Sequence, residues 1–68
     1  MEKDNIGRNA GAIWLKIDAK GAMSVSQLNK LTKLDMKQIY LALGWLAREN
    51  KIYFYYTRDE LFVSLIYH

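Results

Sequence analysis

From Ile6 onward the apolar residues Ile6, Ala10, Ile13, Trp14 and Ile17 recur at intervals of three and four. That spacing predicts an amphipathic helix from about Asn5 to Lys20, with Asn5 as its N-cap and Gly21 as its stop. Ala22 and Met23 are then left for a brief extended segment. Ser24 and Gln27 fit a capping box, in which the hydroxyl accepts an orphan backbone N–H and the side chain three residues on reaches back. A short second helix, Val25 to about Leu31, is expected to bury Val25, Leu28 and Leu31. Asp35 and Gln38 repeat the same box at the head of a third helix, whose inward stripe is Ile39, Ala42, Leu43 and Leu46. It is expected to end near Glu49 and Asn50, with Asn50 as a left-handed cap. Only Thr32, Lys33 and Leu34 remain between the second and third helices, the spacing of a helix-turn-helix pair without the usual turn glycine.

Beyond Lys51 the residue types change. Ile52 to Tyr56 and Leu61 to Ile66 are β-branched or aromatic, and the polar group Thr57, Arg58, Asp59 and Glu60 separates them as a hairpin turn. Three helices followed by a hairpin, with the Ala22–Met23 segment closing a small three-stranded antiparallel sheet, is an α+β order: a winged helix-turn-helix. The two strands are apolar on both faces. Tyr53 and Tyr55 oppose the face of Ile52, Phe54 and Tyr56, whereas a sheet with one wet face alternates apolar with polar. Helix one or another subunit is expected to cover the second face.

A length of 68 residues leaves room for one domain, spanning 1–68, and excludes a second. No cysteine is present and the single histidine is His68 at the chain end, so disulfides and the usual structural zinc patterns are excluded. Stability then rests on apolar packing, for which a 51% hydrophobic composition provides, and on self-association. The N-terminal stretch lacks the apolar core of a secretory signal and no segment is long enough to span a membrane, so a cytoplasmic location is expected. The formal charge of +3 is mildly attractive to polyanions.

The segments IGRNAGAIW, residues 6–14, and ALGWLARENKI, residues 42–52, resemble a family of short bacterial and archaeal winged helix-turn-helix proteins of uncharacterised function. The resemblance covers nearly the whole chain, and ALGWLARE is its most specific part. It implies three helices with a small wing and a homodimer, and it carries over no substrate, operator or catalytic residue.

No set of residues has the spacing of an active site, so neither an enzyme nor a cofactor is expected. His68 reads as a frayed end. Gly7 and Gly11 lie in a helical pattern rather than after a strand, which excludes a phosphate loop. Ser24 is explained by capping, and the scattered carboxylates, Glu2 and Asp4 among them, by solvation and capping.

Two uses remain for the surface. At 100° per residue, helix three turns Lys37, Leu41, Gly44, Trp45 and Arg48 outward, with Gln38 at the edge. For double-stranded DNA, Lys37 and Gln38 near the helix start can address guanine and adenine. Lys33, Arg48, Lys51 and Arg58 can meet phosphates, with Lys30 and Lys16 as outer candidates. Leu41 and Trp45 argue instead for a protein interface, unless Trp45 folds over the edge of the core or under the wing. Tyr53 and Tyr55 belong to the same interface reading; stacking on single-stranded nucleic acid lacks interleaved lysines there. Gly7 and Gly11 cost about 1 kcal/mol each in a helix interior relative to alanine. They form a smooth strip for a second helix, within the domain or across a two-fold axis, or else mark a ragged helix start.

Overall fold

A computed structural model describes residues 2–67. His68 and the side chains of Glu2 and Asp4, assigned above to a frayed end and to solvated positions, lie outside the described residues. The elements run α1 (Glu2–Lys20), β1 (Met23–Ser24), α2 (Val25–Thr32), α3 (Met36–Arg48), β2 (Ile52–Thr57) and β3 (Glu60–Leu65). The helix order and the hairpin are those expected, and the chain has the winged helix-turn-helix fold.

Both capping boxes form. The Ser24 hydroxyl accepts the Gln27 N–H at 3.1 Å and Gln27 Oε1 accepts the Ser24 N–H at 2.8 Å, which satisfies the one buried polar side chain among the described residues. Each helix then ends on a left-handed residue that returns its N–H to a helical carbonyl. Gly21 (φ 89°) donates to Ile17, Lys33 (φ 61°) to Asn29 and Asn50 (φ 57°) to Ala47. At the end of α3 the Lys51 N–H also reaches Leu46 at 2.9 Å, completing a Schellman motif.

The sheet order is β1-β3-β2, antiparallel throughout, with Met23 opposite Val63 and Ile52 opposite Leu65. One face lies on the helices. Val63, Leu65 and Ile52 enter a core with Ile13 and Ile17 of α1, Leu28 of α2, and Ile39, Leu43 and Leu46 of α3. Several of these side chains are fully buried, each contributing about 1.5–3 kcal/mol of transfer free energy. The β2–β3 turn is the two residues Arg58 and Asp59, both with positive φ (51° and 63°) as a type I′ turn demands, although neither is glycine.

Four sequence expectations are corrected. Asn5 is not an N-cap, because α1 already runs from Glu2 through helix-favouring Glu and Lys. The short strand is Met23–Ser24 rather than Ala22–Met23, since Met23 pairs with Val63 and Ser24 both pairs and caps. Leu31 is exposed; Leu34 packs on the core instead, where Asn29 Nδ2 donates to the Leu34 carbonyl at 2.7 Å and folds the turn inward. Helix one covers the inner sheet face only, so it does not shield Tyr53 and Tyr55, which are 49% and 38% exposed.

Candidate nucleic-acid interface

The orientation of α3 follows from its stripe. With Ile39, Ala42, Leu43 and Leu46 buried, the opposite side presents Lys37, Gly44 and Arg48, all exposed. Lys37 lies in the first turn and Arg48 in the last, so their charges stand at the two ends of one exposed face. Lys33 precedes that face in the left-handed turn, and Arg58 stands at the tip of the hairpin.

Trp45 does not share this surface. It is half-buried against the core at the α1 edge of α3, in a groove of about 430 Å³ with Trp14, Gly7 and Gly11. It therefore folds over the edge of the core, on the side away from the wing. Leu41, one turn earlier and 38% exposed, borders a recess with Asn5, Ile6 and Asn9 of α1. Trp45 is thus turned toward α1, whereas Leu41 stays exposed on the outward face beside Lys37, with Gly44 on the wing side of that face.

The polar candidates separate in the same way. Gln38 is half-buried, and its Oε1 accepts the Asp35 N–H at 3.0 Å while its own N–H donates to Asp35 Oδ1 at 2.8 Å. The cap uses one lone pair of Oε1 and leaves the other, with the amide NH₂, for a two-point contact with adenine. Lys51 lines the α1 groove beside Glu49. Lys33, Lys37, Arg48 and Arg58 remain toward α3 and the wing.

A Cβ placed on Gly7 or Gly11 would meet nothing within 4 Å. Among the described residues no other helix presses on the glycine strip, so the close approach within the domain, expected as one alternative, is not made there.

Residue periodicity did not single out Met36 and Tyr40. They flank the outward face on its wing side, where Tyr40 and Gly44 meet Phe54, Tyr56 and Leu61 across a shallow apolar depression. Phe54 and Tyr56 have core-face parity yet are 41% and 74% exposed, because the hairpin runs past the edge of the helical layer. The signal for Tyr40 was its position, 100° before Leu41 and thus beside the outward arc. Among the described residues no group of three or more metal-ligating side chains gathers, and no helix is long and apolar enough to cross a membrane.

The chain is similar to the solution NMR structure of protein BT2368 from Bacteroides thetaiotaomicron, with 31% sequence identity and a TM-score of 0.84. The similarity covers 96% of this chain and 79% of that one. No curated protein matches the chain. Residues 1–65 match the family model described as "Winged helix-turn-helix domain (DUF2582)". Helix order, sheet topology and this match over nearly the full length agree: the chain belongs to the DUF2582 family of winged helix-turn-helix domains.

Proposed function

We propose that this protein is a non-enzymatic regulator of transcription that associates with duplex DNA as a homodimer, in the cytoplasm. The observation that carries this reading is the direction of Trp45. With the indole packed toward α1, the outward face of α3 presents Lys37, Leu41, Gly44 and Arg48. A small residue between two cations lets the helix approach a groove while the charges meet its phosphate walls. Lys33 supports the entry to α3, and Arg58 reaches outward from the wing tip. Gln38 adds its amide NH₂ and the second lone pair of Oε1 at the helix start. Lys51 faces the α1 side and is left out of the contact set.

Four such cations are expected to make binding dominated by phosphate contacts. The logarithm of affinity then falls against the logarithm of salt with a slope of roughly −3 to −4 per protomer, at about 0.9 per phosphate. A fluorescence titration of random duplex DNA at low and moderate salt tests this. Replacing Arg58 with alanine is expected to reduce the slope by about 1. An unchanged slope would remove Arg58 from the contact set, and a Kd weaker than about 0.1 mM at low salt would put the whole reading below ordinary non-specific binding.

A second reading, a protein-association module that binds no DNA, draws on the exposed aromatic row Tyr53 to Tyr56. It expects no titration at any salt.

A further inference from the structure

The depression between α3 and the wing, about 380 Å³, joins aromatic walls to a cationic border. Tyr40 of α3 and Phe54 and Tyr56 of β2 line it with exposed rings, and Leu43, Gly44 and Leu61 lie between them. Lys37 precedes Tyr40 by three residues and Arg48 follows Gly44 by four, so each cation is the surface neighbour of a lining residue one turn away. The two cations stand about 16 Å apart along the helix axis. Negative charge lies elsewhere: Asp59 and Glu60 share a separate recess with Ser24 and Ser26, toward α2, where they repel an anion. An anionic ligand is therefore held on the α3 side of the depression.

Gly44 leaves this space open at a cost. Glycine in a helix interior is disfavoured relative to alanine, and here its backbone is not in the left-handed region that would require it. A Cβ at Gly44 would meet nothing within 4 Å, so packing within the described residues does not require glycine either. The combination of flat aromatic walls, vacant floor and a cation at each end of one border matches a nucleotide: the base has a π face for the rings, and the strand carries phosphates on both sides of it. A paired base keeps its faces in the duplex stack, so only an unpaired one can use the rings. An apolar protein side chain would fill the floor and leave both cations unmatched. Tyr53 and Tyr55, on the other face of β2, have no α3 cation beside them.

We infer that this depression receives one unpaired nucleobase, stacked among Tyr40, Phe54 and Tyr56, from a DNA strand whose phosphates meet Lys37 and Arg48. The inference rests on the DNA part of the proposed function and narrows its ligand to duplex DNA that carries an unpaired base. Swinging a paired base out of its stack costs energy, whereas a base already unpaired is spared most of that cost. The preference arises from stacking and not from charge, so it persists as salt rises while affinity for both forms of DNA falls.

The test is an anisotropy titration of two end-labelled duplexes of one sequence and equal phosphate count, one fully paired and the other with a central adenine opposite an abasic site. The protein is expected to bind the second about tenfold more tightly, at low and at moderate salt. Phe54→Ala, and separately Tyr56→Ala at the most exposed of the three rings, are expected to bring this ratio close to one with the paired-duplex affinity unchanged; circular dichroism checks that each variant is folded. Tyr53→Ala, on the opposite face, is expected to keep the ratio. Equal affinity of the unaltered protein for both duplexes would overturn the inference and leave the DNA reading standing, as would a ratio that survives in both Phe54→Ala and Tyr56→Ala. A ratio lost equally in Tyr53→Ala would overturn the assignment to this face of the wing. Absence of binding to either duplex at low salt would overturn the DNA reading and the inference with it.

Discussion

The Asp35 carboxylate and the Gln38 side chain exchange hydrogen bonds with each other's backbone N–H, at 2.8 Å and 3.0 Å, and this reciprocal pair starts α3 as an independent helix. Both groups are near the surface, yet the direction of every side chain on the outward face depends on where α3 begins. Asp35→Ala is expected to cost about 1 kcal/mol, the usual value of a lost N-cap. In a domain this small that is a fall in Tm of about 4–8 °C, measurable by circular dichroism.

Leu28 and Leu31 lie one turn apart on α2 and have opposite environments, the first fully buried and the second 45% exposed. Leu28→Ala is expected to destabilise by about 2–5 kcal/mol through lost transfer energy and a residual cavity. That is a large share of the whole stability, roughly 3–10 kcal/mol for a chain of this size. Leu31→Ala is expected to stay within about 1 kcal/mol. Chemical denaturation of the two variants checks the pair, and equal losses would contradict the inward role assigned to Leu34.

The Tyr67 hydroxyl donates to Asp18 Oδ1 at 3.2 Å and ties the chain end to α1. Partial desolvation, that hydrogen bond and the carboxylate charge together hold the phenol above its ordinary value of 10.0. A folded-state pKa raised above the unfolded one means that the tether's contribution is complete below about pH 10 and is lost as pH rises through the folded value. An NMR titration of the Tyr67 ring should show the raised midpoint, and Asp18→Asn should return it toward the ordinary value. A midpoint that ignores Asp18→Asn would contradict the tether.

Much of this architecture was legible in the sequence because local rules agreed. Ser24 with Gln27 and Asp35 with Gln38 mark helix starts by chemistry that acts over three residues, and Asn50 marks an end in the same local way. Leu31, Trp45 and Tyr40 were not legible, because a helical wheel gives an angle and not a neighbour. Leu31 lost its place to a leucine in the following turn. Trp45 lies at the border of two arcs, and only the position of α1 decides which one it joins. The exposure of Phe54 and Tyr56 depends on the hairpin reaching beyond the helices, a matter of length across elements that alternation does not encode. Gln38 was read twice, as a cap and as an adenine contact, and the cap takes only one lone pair of its carbonyl, which leaves the amide NH₂ for the second role.

The proposed contact face is tested most directly by comparing two double charge reversals that change net charge equally. Lys37→Glu with Arg48→Glu alters the outward face of α3, whereas Arg8→Glu with Lys20→Glu alters exposed positions on α1, outside α3 and the wing. Affinity for random duplex DNA at fixed low salt is the readout. The α3 pair is expected to abolish binding while the α1 pair retains most of it; equal losses from both pairs would show that net charge, rather than the face of α3, governs the association.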